Sequence, residues 1–209
     1  MTYTDLTQFL KRGTRGFDIE TARTLEKDHW NATTLHIYSH AGTHMDSPWH
    51  FGVSSRTIDE YPVDRFFSSC RVIDVPGCKP SQAIKPADLD LPAGFTLSGE
   101  GVMLRTGWSR FAGTGKYRDE LPRISPELAT WLVENGVRML GVEPPSVADV
   151  NNPEELTRVH TILLGGDIII IEGLCNLDKI RGKEVQVVAL PLKIYKGDGA
   201  PCRVIAIEP

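Results

Sequence analysis

Ser39-His40-Ala41-Gly42-Thr43-His44-Met45-Asp46-Ser47-Pro48-Trp49-His50-Phe51 holds three of the chain's six histidines, together with an aspartate, a glycine and a proline. His40, His44 and Asp46 offer two imidazoles and a carboxylate, donors that suit a borderline or hard divalent cation. The preceding Ala32-Thr33-Thr34-Leu35-His36-Ile37-Tyr38 is rich in β-branched and aromatic residues and predicts a strand. In an extended chain residues 40, 44 and 46 share one face, but four extended residues span about 13 Å, too far for joint ligation. The spacing therefore predicts a bend between the two histidines at Gly42, and Pro48 predicts a loop beyond it. A lone histidine at a strand end is ordinarily a surface or satisfied core residue. This grouping, with its aspartate and hinge glycine, points instead to a metal site.

Working outward, 209 residues suggest one domain over 1–209, long enough to bury a sizeable core. A hydrophobic share of 41% and a charged share of 24% are those of an ordinary soluble globular chain. A net charge of −4 leaves no electrostatic footprint for nucleic acid or an anionic membrane. No apolar run approaches the ~18 residues of a membrane span. The N-terminus lacks a basic region followed by an apolar run. Cys70, Cys78, Cys175 and Cys202 are dispersed, without a Cys-x-x-Cys pair, and read as reduced thiols. These features predict a soluble, cytoplasmic protein.

The remaining elements follow from local patterns. Tyr3–Leu10 reads as a strand or short helix, and Ile19–Lys27 as weakly helical. Short helical turns are expected at Val63–Phe67, Pro86–Leu89 and Asn176–Ile180, strands at Cys70–Val75, Gly101–Arg105 and Arg138–Val142, and a loop over Pro92–Ser98. Gly113-Thr114-Gly115-Lys116 invites a phosphate-loop reading, but Arg110 replaces the first glycine and Tyr117 the Ser or Thr after the lysine. Ser109–Arg123 is expected to be a flexible loop near the site. Ser125-Pro126-Glu127 opens a helix with an N-cap, an N1 proline and an acidic first turn, ended by Gly136. A second helix runs from Asn152-Pro153 to Gly165-Gly166. Ile168–Glu172, apolar on both faces, predicts a buried central strand. Glu184–Leu192 and Arg203–Ile207 form a last pair of strands around a Gly197–Pro201 turn. Glu172 is either the exposed end of its strand or a buried carboxylate needing a counter-charge. His160, alone on an amphipathic helix, is equally ambiguous. Interspersed strands and helices predict an α/β fold with a mixed, curved or barrel-like sheet flanked by helices.

The run over residues 40–50 resembles the signature of the cyclase-like metal-dependent hydrolases, the family of bacterial kynurenine formamidase and isatin hydrolase. The likeness continues at Leu104–Trp108, Gly141–Ser146, His160–Leu164, Glu172–Leu177 and Ala189–Lys193, covering roughly residues 30–209. It implies a fold of the swivelling β/β/α type and two divalent ions per chain, zinc foremost and manganese second. His40, His44 and Asp46 would hold the first ion, and Asp46, His160 and Glu172 the second. His50 would be the acid/base residue, its near-neutral pKa suiting proton transfer. The resemblance also implies a homodimer or higher homo-oligomer and hydrolysis of a small amide, formamide or lactam. In the formamidases a Pro-x-Trp-Pro turn supplies an aromatic wall. The comparable place here reads Thr14-Arg15-Gly16-Phe17-Asp18, making Phe17 the candidate wall. Trp49, Phe51, Trp108 and Phe111 are further candidate walls. Glu143-Pro144-Pro145 departs from the family, where many members carry an aspartate before a small residue. A different cyclic amide or ester as substrate, or a metal-stabilised protein without turnover, are the competing readings.

Overall fold

The computed structural model describes all residues except 93, 94, 96 and 98. In chain order its elements are β1 (Thr2–Asp5), β2 (Phe17–Arg23), α1 (Leu25–Asp28), β3 (Ala32–Ile37), β4 (His44–Asp46), β5 (Phe67–Asp74) and β6 (Ala83–Ile84). There follow β7 (Gly101–Arg105), α2 (Gly115–Asp119), β8 (Arg123–Ile124), α3 (Pro126–Glu134), β9 (Met139–Val142) and α4 (Pro153–Gly165). β10 (Ile169–Glu172), β11 (Glu184–Pro191) and β12 (Gly199–Glu208) complete the chain. The main sheet runs β1-β12-β11-β5-β7-β9-β10-β4, and a further pairing of β4 with β12 closes it into a ring.

The isoleucine run shows why the sheet closes where it does. Side chains alternate across a strand. Ile169 and Ile171 point into the ring with Met45, Met103 and Val187. Ile168 and Ile170 point outward and are covered by Leu128 and Leu132 of α3 and Val159 and Leu163 of α4. Two cores thus flank one set of parallel strands, β5-β7-β9-β10, which is why β7, β9 and β10 are apolar on both faces. Antiparallel β4, β11 and β12 complete the circuit. The expected mixed, barrel-like sheet with flanking helices is what the chain forms.

Capping follows the sequence signals. Ser125 Oγ accepts from Leu128 N–H at 3.1 Å, and Asn152 Oδ1 from Glu155 N–H at 3.2 Å, each before a proline in the first helical turn. α4 buries Val159, Leu163 and Leu164 and, with them, the polar His160, 2% exposed.

Several expectations are corrected. Ile19–Lys27 is not a helix: residues through Arg23 belong to β2, which pairs with β3 from Phe17↔Ile37 to Arg23↔Ala32, and only Leu25–Asp28 is helical. Cross-strand pairing with a β-rich neighbour outweighs a weak helical period. Ser109–Arg123 is not an open loop but carries a 3₁₀ turn, α2 and β8, with Thr114 capping α2. The predicted Gly197–Pro201 turn ends early, because Gly199–Pro201 pairs with Asp46–His44 and extends β12. The loop expected over Pro92–Ser98 falls partly outside the described residues.

Candidate metal centre

β4 and its neighbours deliver the donors. β3 leads through Tyr38 and Ser39 to His40. The chain then turns at Gly42, whose φ of +63° is the left-handed conformation that glycine adopts without strain. β4 then begins with His44 and ends with Asp46, paired in register with Glu172 and Gly199 respectively. The predicted hinge is therefore real, and it brings both histidines to one carboxylate.

Asp46 is central. Its Oδ1 lies 2.9 Å from His40 Nδ1 and 3.7 Å from His44 Nε2, and its Oδ2 lies 3.5 Å from His160 Nε2. Glu172 closes the other side, Oε2 at 3.1 Å from His44 Nε2 and Oε1 at 3.3 Å from His160 Nε2. The Glu172 side chain is 4% exposed, so its strand end is buried rather than open. Its Oε1 also accepts from Val147 N–H at 2.7 Å. His44 Nδ1 donates to the Gly42 carbonyl at 3.0 Å and His160 Nδ1 to the Leu156 carbonyl at 2.7 Å, which leaves both Nε2 atoms facing the carboxylates.

Charge is concentrated here. Burial disfavours the His40 imidazolium, but Asp46 and Asp198 outweigh it and hold the pKa up at about 9. His44 and His160 behave alike: burial opposes their charged forms, and Glu172, their foremost partner, raises both. Burial favours a protonated Glu172, yet the two imidazoles hold it well below the usual carboxylate range. His50 runs the other way. Burial, the largest cause, lowers it, and although Asp46 opposes this, His40 and His160 push it further down.

The residues present fit a divalent cation. Asp46 Oδ2 is a buried carboxylate oxygen with no hydrogen-bond partner, and such an atom is costly unless a cation or donor meets it. Among the described residues, His44, Asp46 and Glu172 place one donor atom each within 4.8 Å of one another, as do His40, Asp46 and His50.

A family model described as "Putative cyclase" matches residues 4–149. The chain belongs to the cyclase family. Among its relatives, a kynurenine formamidase of Salinibacter ruber is 31% identical over 175 residues, 84% of this chain and 79% of that protein. A kynurenine formamidase of Bacillus cereus is 31% identical over 176 residues, 84% and 79% of the two chains. Isatin hydrolase A from Labrenzia aggregata, solved bound to benzyl benzoate, has the same fold. It superposes with a TM-score of 0.88 at 24% identity, covering 98% of this chain and 93% of that one.

The surroundings divide the other expected cyclase-family site residues. His50 lies on a 3₁₀ turn (Pro48–Phe51), stacked on His40 with ring centroids 3.9 Å apart. Phe51 stacks on His160 at 4.2 Å and is a wall of the cluster. Trp49, on the same turn, is 51% exposed. Phe17 sits at the base of the β2–β3 hairpin, opposite Ile37. Trp108 is buried against Tyr117 and Leu121, its Nε1 donating to the Tyr117 carbonyl at 2.9 Å. Phe111 packs against it.

Glu143 also resolves. Its carboxylate accepts from Thr106 N–H, Thr106 Oγ1, Trp108 N–H and Ser109 Oγ at 2.7–3.2 Å, so it ties down the loop after β7. Two neighbours of the centre escaped the sequence reading. Tyr38 lies with its ring 5.5 Å from that of His40. Asp198 has Oδ2 at 3.0 Å from His40 Nε2 and 3.6 Å from His50 Nδ1. The only signal for Asp198 was an acidic residue in a glycine turn, and turns commonly carry one.

Proposed function

We propose that this chain uses divalent metal to hydrolyse the C–N bond of a small amide, formamide or lactam. The observation that carries the reading is Asp46, a fully buried carboxylate with one oxygen toward His40 and His44 and the other toward His160. His40, His44 and Asp46 would hold one ion, and Asp46, His160 and Glu172 the second. Divalent cations so held supply Lewis acidity and lower the pKa of water toward neutrality; zinc and manganese both suit these donors.

The chain's own groups then manage protons and position. His50, held neutral by burial, has Nδ1 toward Asp198, which leaves Nε2 as the atom that takes a proton from the attacking water. The same atom returns it to the departing nitrogen as the C–N bond breaks, so no net proton is gained or lost by the enzyme. Phe51 packs the far side of His160 and limits solvent there.

A metal-stabilised protein without turnover is the second reading, and His50 argues against it. A purely structural site has no need of a further imidazole, and this one keeps 26% of its side chain exposed beside the buried ligand set. The deciding experiment is a screen of metal-loaded protein over aryl formamides, N-formylkynurenine among them, lactams and small esters, with elemental analysis alongside. About two ions per chain and turnover of an amide are expected. One ion or none removes the dinuclear reading, and metal without turnover favours the binding protein.

Phe17 is assigned to the substrate pocket. The hairpin base is joined to the site through Tyr38, whose N–H donates to the Gly16 carbonyl at 2.7 Å and whose ring centroid lies 5.5 Å from that of His40. Phe17→Ala should therefore raise KM more than it lowers kcat, the pattern of lost uniform binding. An unchanged KM with a collapsed kcat would reject this.

The protein is also proposed to be a cytoplasmic homodimer or higher homo-oligomer. All four cysteines are free, in keeping with a reducing compartment, and no helix among the described residues is long and apolar enough to cross a membrane. The β2–β3 hairpin leaves Leu25, Trp30 and Leu35 at least half exposed, and a two-stranded ribbon is marginal alone. Light scattering should give at least twice the 23.2 kDa chain mass; a monomeric mass would refute the oligomer.

A further inference from the structure

The three buried imidazoles are not held alike. His44 and His160 each have Nδ1 secured by a backbone carbonyl and present Nε2 inward. His40 is reversed: Nδ1 faces Asp46 Oδ1 at 2.9 Å, and Nε2 lies 3.0 Å from Asp198 Oδ2. We propose that Asp198 is the positioning residue of the first metal ligand, accepting the Nε2–H of His40 and so fixing the tautomer whose Nδ1 is free for a cation beside Asp46. A histidine ligand with its outer N–H donated to a carboxylate is a general way to set ring orientation and basicity.

Asp198 is built into that place. Its backbone carbonyl accepts from Ser47 N–H at 3.0 Å and Ser47 Oγ at 2.9 Å, pinning it to the residue after β4. Ser39 Oγ donates to its Oδ2 at 3.3 Å. The next residue makes room for the ring: a Cβ on Gly199 would lie 2.8 Å from His40 Cε1 and 2.6 Å from the Met45 carbonyl oxygen. His40 is therefore seated against the start of β12, with the carboxylate at its outer nitrogen. Because His50 stacks on His40, the seat that holds the ligand also supports the acid/base residue.

The proposal rests on the dinuclear reading, and its test separates the two. Zinc is titrated into wild-type protein, Asp198→Asn and Asp198→Ala against a competing chromophoric chelator, with the melting curve of each metal-free protein as a fold control. Asp198→Ala should weaken one of the two ions by about 10- to 100-fold, the usual effect of losing such an outer partner, and leave the other unchanged. Asp198→Asn keeps an acceptor oxygen without the charge and should fall between. Nitrogen-15 spectra of the zinc-loaded proteins should show one His40 tautomer, protonated at Nε2, in the wild type and a loss of that signal in Asp198→Ala. Equal affinity for both ions in all three proteins would overturn the assignment, as would equal weakening of both ions. Wild-type protein that binds no zinc would instead overturn the metal reading beneath it.

Discussion

His50→Ala should lower kcat by about 10²- to 10⁴-fold, the range of a general acid–base residue, with fold and metal content intact. The side chain stacks on His40 and meets Phe51 edge-on at 4.5 Å, contacts that place it without using its outer edge. Burial, the largest cause, and the neighbouring imidazoles keep its pKa below the ordinary 6.5. It is therefore an unprotonated base at neutral pH. The sign of the pH effect follows. In the wild type, kcat should fall on the acid side as His50 gains its proton, at a pH below 6.5, and the variant should lack that limb. Measuring kcat against pH with metal analysis at each point checks both claims. Loss of an ion in the variant would show that His50 is a ligand, a real alternative because His40, Asp46 and His50 bring donor atoms within 4.8 Å of one another. Full activity with metal retained would remove the proton relay from the mechanism.

The histidine loop was legible because its meaning is local. Gly42 between two histidines signals a bend, and the bend delivers His40, His44 and Asp46 together. The isoleucine run was legible for a similar reason, since a strand with two apolar faces must lie between two layers. What the sequence hid depends on pairing across the chain. Glu172 follows four isoleucines and could have ended an exposed strand; its register with His44 puts it inside. Asp198 looked like a turn residue, and only the pairing of Gly199 with Asp46 carries it to His40. Trp108 follows the motif strand β7, and its packing with Tyr117 and Leu121 and the hydrogen bond from its N–H to Glu143 join it to residues distant in the chain. Residues 19–23 carried conflicting local preferences, and a partner strand decided between them.

On the proposed dinuclear centre, Asp46→Asn should remove both ions, the largest effect on metal binding of any single substitution here. The amide is nearly isosteric, so the packing around a side chain that is 1% exposed should survive. It lacks the charge, however, and can offer only one oxygen where His40, His44 and His160 converge on two. Turnover should fall with the metal. The same substitution has a second signature, readable in chelator-treated protein. With Asp46 and Asp198 overcoming burial, the wild-type His40 pKa stands at about 9, against an ordinary 6.5. A folded-state pKa raised above the unfolded value contributes stability that is fully present below pH 6.5 and disappears as pH rises through about 9. For a side chain 8% exposed this is on the order of 2–3 kcal/mol. Wild-type metal-free protein should thus melt at lower temperature near pH 9 than near pH 6.5, and Asp46→Asn should flatten that slope. Cations compete with these protons, so wild-type metal affinity should rise across the same interval. An Asn variant that keeps two ions, or a melting curve whose pH slope is unchanged, would mean that Asp46 is not the carboxylate on which the centre turns.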